Sequence, residues 1–565
     1  MKNIFFLFLL FPFQLIQAQI EHWEIEHPLK TIVTLSGNYA ELRRNHFHGG
    51  IDFRTGGVEN KPIYAIDEGY ISKISISSRG YGKLAYIEHP NGYTSLYAHL
   101  NDFTPRLDSI VKARQYEKRA FEMEITLKPN EYPIKKGEQF ALSGNTGSSF
   151  GPHLHFEIRK TEDHTLINPM LLNKYFKVED NRKPQILAVK IYGLNNNGAV
   201  NNVGERKFQA VNTAKARTLQ GGGDIKAWGE IGFAVRANDY MTGTHFTHNP
   251  RILKLYVDSV LISEANITNI KYSDTRAFNS FIDYRQFMRT GEFFMKSFAD
   301  PNFPLHIFKN TKQKGVLHIT EERPYAVRYE VYDDFGLKDV VSFTIQGKKM
   351  EIPKSNKNYF SYLRCGKSQF FEQPDFLVYL PANTLYTDLE LEYQKTESSK
   401  FSSYVYEFGN TEIPLHTFCD MTIKVTKDSL EDKSKYFIAK LNASNIITGS
   451  AGGVYVDGFM VGKTNTLGKF AVAVDNTKPV ITAVNTTELY RRPYLRFKIF
   501  DGLSGIAKYD GYIDDEWILF EYDAKSSAIT YWMGNIPKQK KNRKFKLVVT
   551  DNCGNSAMYE KMIYW

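Results

Sequence analysis

Histidine and aspartate side chains at even spacings between positions 48 and 155 could bind a metal ion. His153 and His155 stand two apart in HLHFEI, whose alternation predicts a strand with both imidazoles on one face. His48 and Asp52 stand four apart, and in an extended chain that even spacing brings both to one side. Two histidines and one carboxylate form a three-ligand zinc set with a fourth position open to water. Spacing alone leaves open whether one histidine of the 153/155 pair lies beside that water instead, and His99 is a third candidate imidazole.

The segments around these residues have the pattern of antiparallel strands joined by glycine turns. YAIDEGYISKISI and GKLAYIEHPNGYTSLYAHL alternate apolar and polar residues, and glycines interrupt both. Gly49 and Gly50 carry no Cβ and let the backbone pass close to the site. Aromatic residues, which strands favour, make up 14% of the chain. We therefore predict a mainly β protein whose antiparallel sheet carries the site.

Four motifs follow one another along about a quarter of the chain. They are HGGID from His48, YAHL from Tyr97, TGSSFGPHLHFEIR from Thr146 and NP from Asn168. The set resembles the motifs of the zinc metallopeptidases of the lysostaphin and LytM type, peptidase family M23. This resemblance implies a compact, mainly antiparallel β-fold with the site in a groove on its sheet.

The same resemblance assigns roles to five residues. It implies that the zinc ligands are His48, Asp52 and His155, and that the catalytic histidines are His99 and His153. In the implied mechanism Zn²⁺ activates a water molecule and polarises the scissile carbonyl. His153 then takes or relays the water proton, and His99 holds the water and stabilises the oxyanion.

The activity that the resemblance implies is that of an exported zinc metalloendopeptidase acting on peptides of peptidoglycan, in crosslinks or stems. Three alternatives stay open. The chain could be a catalytically inactive regulator of cell-wall hydrolases, a secreted peptidase of protein substrates, or an adhesin that binds through its β-modules. The residue types needed at all five positions are present, which favours an enzyme over the regulator and the adhesin.

Two features depart from the family pattern. Phe150 stands where relatives often have a small residue, and its bulk could line the groove and narrow the choice of substrate. An insertion at about 104–133 predicts a helix in DSIVKARQYEKR, capped by Asp108 or Ser109, and then a strand in FEMEITL. The insertion is either a groove wall or lid, or a surface hairpin. Residues 21–39 are either a strand on the catalytic sheet or a segment that covers the groove.

A near-repeat marks two module starts, DNRKPQI from Asp180 and DNTKPVI from Asp475. Each opens a region of alternating strands that ends on a glycine turn and a last strand, the pattern of an immunoglobulin-type sandwich. The predicted divisions are a signal peptide (1–18), a peptidase domain (19–175), an Ig-like module (180–347), a β-rich module of unknown type (348–474) and a C-terminal Ig-like module (475–565). We expect a protein that ends near Tyr175 to fold alone.

The start of the chain predicts export. Lys2 precedes an apolar run from Ile4 to Phe13, and Ala18 suits cleavage before Gln19. That run is too short to span a bilayer comfortably, and no later segment is apolar enough for a membrane helix. The predicted location is the periplasm, the cell envelope or the extracellular space.

The charge distribution argues against a nucleic-acid-binding protein, and the odd number of cysteines leaves at least one free thiol. The net charge of +10 is spread along the chain, and the one dense basic run, Lys538–Lys544, precedes the strand-like FKLVVT. We interpret that run as a solvated hairpin turn, so nucleic acid is not an expected partner. Cys365 and Cys419 could pair in an oxidising compartment, which would leave Cys553 as a free thiol.

Overall fold

The polypeptide folds mostly into antiparallel strands, which confirms the predicted fold class. The computed structural model describes residues 20, 22–32, 34–213, 216–220, 225–309, 311–353 and 358–565. The predicted signal peptide lies outside these ranges. Within them, no helix is both long and apolar enough to cross a membrane.

Between Leu35 and Phe176, where every residue is described, the chain forms thirteen strands and two α-helices. Strands β1 to β13 are Leu35–Gly37, Leu42–Arg43, His46–Phe47, Ile51–Arg54, Pro62–Tyr64, Gly69–Ile76, Lys83–Glu88, Tyr93–Phe103, Met123–Thr126, Pro133–Ile134, Gln139–Ser143, His153–Lys160 and Thr165–Ile167. Helices α1 and α2 are Pro105–Lys118 and Asn173–Phe176. The main sheet has the order β1-β4-β12-β8-β7-β6-β10.

Strand β12 lies between β4 and β8, and its register places the site. His155 stands opposite Asp52 of β4 on one side and Ala98 of β8 on the other. Leu154 and Phe156, the residues on the other face, are fully buried, as the alternation in HLHFEI predicts. Burying these two side chains stabilises the sheet by roughly 1.5–3 kcal/mol each.

The insertion is a helix and an edge strand. Helix α1 begins after Thr104 with Pro105 in its first turn, so the predicted caps Asp108 and Ser109 are wrong by one turn. The predicted strand exists as β9 and pairs with β6, at the far side of the sheet from β12. Proline suits the first helical position because its missing N–H has no intrahelical partner there.

The next region, which begins at β14, adds a strand to the catalytic sheet. Strands β14 to β26 are Gln185–Val200, Glu205–Asn212, Arg217–Leu219, Lys226–Tyr240, Thr247–His248, Ile252–Val257, Val260–Asn266, Asn269–Lys271, Met295–Lys296, Phe308–Lys309, Leu317–Ile319, Pro324–Tyr332 and Lys338–Gly347. Helices α3 and α4 are Phe278–Phe281 and Tyr284–Thr290. Most of the strands form one sheet, but β21 pairs with β13 of the peptidase region.

Two further β-regions follow. Strands β27 to β38 are Ser361–Leu363, Gln369–Gln373, Phe376–Leu380, Leu389–Leu391, Tyr393–Thr396, Val405–Phe408, Cys419–Lys424, Tyr436–Leu441, Ile447–Ser450, Val454–Val456, Phe459–Thr464 and Gly468–Val474. Strands β39 to β46 are Val480–Asn485, Tyr494–Phe500, Ile506–Ile513, Glu516–Ile518, Glu521–Asp523, Ala528–Trp532, Asn542–Asp551 and Ser556–Tyr564. The first region forms two five-stranded sheets and a two-stranded one, and the second forms two four-stranded sheets over a shared core. The immunoglobulin-type topology predicted for residues 180–347 and 475–565 stays a prediction. All three cysteines are free thiols.

The C-terminal region contacts the peptidase region. Glu521 forms an ion pair with Lys83 at 3.1 Å, and Tyr116 of α1 meets the Trp517 ring edge-on at 5.5 Å. Lys525 Nζ donates to the backbone oxygens of Asn145 and Ser149, just before β12. The insertion therefore serves as a contact for the C-terminal region.

The pairing of β13 with β21 leads to a prediction that differs from the sequence-based one. A protein ending near Tyr175 loses this ladder and uncovers Phe47. The Phe47 ring packs edge-on against Phe278, with ring centroids 5.8 Å apart, and at a tilt against Phe281, with ring centroids 5.7 Å apart. Exposing Phe47 alone costs about 2–3 kcal/mol. We expect the shortened protein to melt at a lower temperature than a protein ending at Gly347, which keeps β21. Equal melting temperatures would restore the expectation of an independent peptidase domain.

Candidate metal centre and active-site groove

Three neighbouring strands bring the five candidate side chains together. Asp52 lies on β4, His153 and His155 on β12, and His99 on β8, while His48 stands in the bend that leads into β4. Gly49 and Gly50 make that bend possible, because a Cβ on Gly50 would collide with the carbonyl oxygen of Phe156.

Three potential ligand atoms converge at the floor of the site. His48 Nε2 lies 2.8 Å from His155 Nδ1 and 3.0 Å from Asp52 Oδ1, and His155 Nδ1 lies 2.9 Å from the same carboxylate oxygen. All three side chains are buried, with relative exposures of 2–3%. The structure thus brings together the three side chains that the family resemblance implies as zinc ligands.

Hydrogen bonds to the far nitrogens fix both imidazole tautomers. His48 Nδ1 lies 2.7 Å from the backbone oxygen of Asn38, which only accepts, so this nitrogen carries the proton. His155 Nε2 lies 2.8 Å from Glu157 Oε1 and donates to that carboxylate. With both rings neutral, two nitrogen lone pairs therefore face each other and the Asp52 oxygen, and a metal ion would satisfy all three atoms. This donor set fits Zn²⁺, which takes imidazole nitrogen and carboxylate oxygen ligands.

Glu157 is the orienting residue that the sequence analysis missed. Its Oε1 also accepts from the hydroxyl of Tyr81 at 2.6 Å, and its Oε2 accepts from Arg159 Nε at 2.7 Å. Arg159 Nη2 lies 2.6 Å from the same oxygen and completes the ion pair. Burial raises the pKa of this fully buried carboxyl, but Arg159 and His155 outweigh burial and lower it. The sequence contained a signal for this role, because positions 153, 155, 157 and 159 lie on one face of the predicted strand.

Arg43 holds the second oxygen of Asp52. Its guanidinium donates to Asp52 Oδ2 and also reaches Glu41 Oε1 at 3.4 Å. Burial raises the pKa of Asp52, but Arg43 and His48 lower it well below its usual range. The carboxylate is therefore ionised, with Oδ1 directed at the two histidines.

The two remaining histidines present free nitrogens beside this group. His153 Nδ1 donates to the backbone oxygen of Gly151 at 2.8 Å, and its Nε2 is buried without a hydrogen-bond partner, 3.5 Å from Asp52 Oδ1. His99 Nδ1 donates to the backbone oxygen of Thr146 at 2.8 Å. The His99 and His153 rings lie 4.7 Å apart. Burial and the neighbouring histidines lower the pKa of His99 well below its usual value, so its ring is neutral at pH 7.

These side chains line a groove with a cavity volume of about 1000 Å³. Phe150 lies at its rim with a fully exposed side chain. Phe246, Tyr272 and Thr275, from the region that begins at β14, also line it. No residue of the 104–133 insertion is among the lining residues described, so the wall or lid interpretation of that insertion has no support.

The segment before the catalytic motifs lies on the sheet. Strand β1 pairs with β4, Ser36 lines the groove and Asn38 accepts from His48. This matches the first of the two interpretations of residues 21–39, a strand packed on the catalytic sheet.

The fold and the site define a class of protein in which an antiparallel β-sheet carries two histidines and one carboxylate, a candidate metal centre, in a groove. The model of peptidase family M23 matches residues 46–117. The chain belongs to peptidase family M23, as its four motifs predicted. A second model, of the Zu5-like domain, matches residues 360–475, where the sequence predicted a β-rich module of unknown type.

Curated relatives align with about a fifth to a quarter of the chain. An uncharacterized metalloprotease of Haemophilus influenzae is 34% identical over 137 residues, covering 23% of this chain and 24% of that protein. The peptidoglycan DD-endopeptidase ShyB of Vibrio cholerae is 31% identical over 112 residues, 20% of each chain. The lipoprotein NlpD of Yersinia enterocolitica is 31% identical over 103 residues, 18% of this chain and 81% of that protein. The alignments thus span a quarter or less of the first two relatives.

Among solved structures, the catalytic domain of lysostaphin from Staphylococcus simulans is 21% identical. The match covers 25% of this chain and 92% of that chain, with a TM-score of 0.19.

Proposed function

We propose that this protein is an exported zinc metalloendopeptidase that hydrolyses peptide bonds in peptidoglycan crosslinks or stems. The carrying observation is the convergence of His48 Nε2, His155 Nδ1 and Asp52 Oδ1, with two further histidines beside them. The Vibrio cholerae relative is named a peptidoglycan DD-endopeptidase, which supports the substrate class. Export is proposed from the N-terminal sequence and agrees with a substrate outside the cytoplasm.

The ligands of the ion would be His48, Asp52 and His155, through the three atoms that converge. When bound, zinc lowers the pKa of a water molecule in its open position and polarises the scissile carbonyl. Asn38, Glu157 and Arg43 keep the three side chains in orientation, because each occupies the hydrogen-bonding atom that lies away from the three converging atoms.

His153 suits the role of general base. Gly151 fixes the proton on Nδ1, so the free Nε2 can accept a proton from the attacking water. The water oxygen bonds to the carbonyl carbon, and His153 passes the proton to the amide nitrogen as the C–N bond breaks. The products are a carboxylate and an amine.

His99 suits the role of holding the water. Its Nδ1–H donates a hydrogen bond to the backbone oxygen of Thr146. In the neutral ring, Nε2 therefore carries no proton and can accept a hydrogen bond from the water. Stabilising the oxyanion, the second role implied by the family resemblance, would require the protonated imidazolium. Because the pKa of His99 is lowered, positioning of the water is the role we propose.

Digestion of purified sacculi tests this function. Zinc-loaded protein should cleave peptide bonds and expose new amino groups while leaving the glycan strands uncut, as read by mass spectrometry of the muropeptides that a muramidase releases afterwards. The matched controls are His153→Ala and His306→Ala, since His306 is an exposed histidine outside the groove. If zinc-loaded protein leaves the sacculi unchanged, the proposal that peptidoglycan is its substrate is wrong. Cleavage of an unstructured protein instead would identify a peptidase of protein substrates.

A further inference from the structure

A second group of metal-ligating side chains lies outside the groove. Asp180, Asp239 and Asp333 each offer a carboxylate oxygen, and these oxygens lie within 4.8 Å of one another. Asp180 lies in the segment between α2 and β14, Asp239 near the end of β17, and Asp333 in the turn after β25. The group therefore joins the segment leaving the peptidase region to two strands of the next region.

The oxygens of this group are buried and unpaired. Asp239 and Asp333 have relative exposures of only 4% and 1%. Asp180 Oδ2, Asp239 Oδ1 and Asp333 Oδ2 are buried without a hydrogen-bond partner, and no ion pair links the three residues to a described cationic side chain. An unpaired buried carboxylate is unfavourable by several kcal/mol. Burial and Asp333 accordingly raise the pKa of Asp239 to about 8.

The other oxygens hold the local turns in place. Asp180 Oδ1 accepts from the backbone N–H groups of Arg182 and Thr242 at 3.0 and 2.9 Å. Asp333 Oδ1 accepts from the N–H groups of Phe335 and Leu337, both at 2.8 Å. Because these bonds fix one oxygen of each carboxylate, the second oxygen of each stays in the buried group.

A similar trio in the C-terminal region provides a contrast. Asp475, Asp501 and Asp551 also bring oxygens within 4.8 Å of one another. Here neutral donors satisfy them: Asp475 Oδ2 accepts from Ser504 N at 3.1 Å, and Asp551 Oδ2 from Asn555 Nδ2 at 2.8 Å. No carboxylate oxygen of this trio is among the buried, unpartnered atoms of the described chain. The near-repeat of DNRKPQI and DNTKPVI thus begins two regions whose acidic groups differ. Buried carboxylate oxygens lack hydrogen-bond partners in the first group and have them in the second.

We propose that Asp180, Asp239 and Asp333 bind one Ca²⁺ ion. A set of three carboxylates offers only hard oxygen ligands, which suit Ca²⁺ and Mg²⁺ rather than metals that prefer nitrogen or sulfur. Ca²⁺ accepts irregular geometry and completes its shell with water. A cavity of about 440 Å³, lined by residues that include Asp180, Thr242 and Phe335, lies beside the group and has room for such water.

The ion clamps the junction between the peptidase region and the region that begins at β14. That second region supplies Phe246, Tyr272 and Thr275 to the groove wall. Calcium should therefore stabilise the arrangement of the groove without contacting the substrate.

Calorimetric titration of the full-length, zinc-loaded protein with CaCl₂ in chelator-treated buffer tests the site. We expect saturable binding with a Kd of about 10⁻⁴–10⁻³ M, the range of extracellular calcium modules. Asp239→Asn should weaken binding roughly tenfold or more, since affinity follows ligand charge. Asp501→Asn, the matched change in the C-terminal trio, should leave it unchanged. Absence of saturable binding, or equal weakening by both variants, would overturn the proposal.

Thermal unfolding separates loss of the site from loss of the fold. The melting temperature of the unaltered protein should rise with calcium, and that of Asp239→Asn should not. Without calcium the variant should melt no lower than the unaltered protein, because an amide of the same shape replaces a carboxyl whose raised pKa keeps it mostly protonated at pH 7. If Asp239→Asn does not fold, Asp180→Asn replaces it. A larger shift with MgCl₂ than with CaCl₂ would overturn the assignment to calcium.

Discussion

Replacing Asp52 with alanine should remove most of the zinc from a protein that otherwise binds about one ion per chain. The change deletes one of three converging ligand atoms and the only negative charge among them. It also breaks the Arg43–Asp52 ion pair and leaves Arg43 with Glu41 alone, so His155→Ala should be measured alongside it, because that variant keeps the Arg43–Asp52 pair. Metal content by mass spectrometry, on protein that retains its circular dichroism spectrum, gives the result.

Two further variants sharpen the zinc experiment. Glu157→Gln keeps the ligands but weakens the hold on His155, so zinc affinity should fall by about 10–100-fold. His306→Ala should keep full zinc. A fully zinc-loaded Asp52→Ala protein would show that the ligand set is wrong.

Local periodicity was sufficient for the centre of the site. The alternation in HLHFEI predicts β12 and places His153 and His155 on one face, because the side-chain period of a strand depends only on the strand itself. The same alternation places Glu157 and Arg159 on this face, so the sequence could also have predicted the carboxylate that orients His155.

Other parts depend on contacts between distant segments. The backbone oxygen of Asn38 reaches His48 because β1 pairs with β4, and Arg43 reaches Asp52 from the short strand β2. No local pattern encodes either contact. The same holds for β21, whose pairing with β13 is set by the packing of one region on another. The helix of the insertion was predictable, but its contact with Trp517 was not.

His153→Ala should retain zinc and reduce turnover by roughly 10²–10⁴-fold, the usual scale for loss of a general base. The structure distinguishes it from the ligands. His155 Nδ1 lies 2.8 Å from His48 Nε2 and 2.9 Å from Asp52 Oδ1, whereas His153 Nε2 lies 3.5 Å from that oxygen. Its unpartnered Nε2 is free to accept a proton, so its loss should affect the rate and spare the metal.

The measurement pairs zinc content with kcat on a soluble crosslinked peptide, for His153→Ala, His99→Ala and His155→Ala in parallel. The first two should keep about one zinc per chain and lose activity, and the third should lose both. The KM of His153→Ala should change little, because removal of a proton acceptor weakens the transition state more than substrate binding. If His153→Ala loses zinc as His155→Ala does, then His153 is a ligand. If its kcat stays within a few-fold of the unaltered protein, then His99 or a solvent molecule is the base.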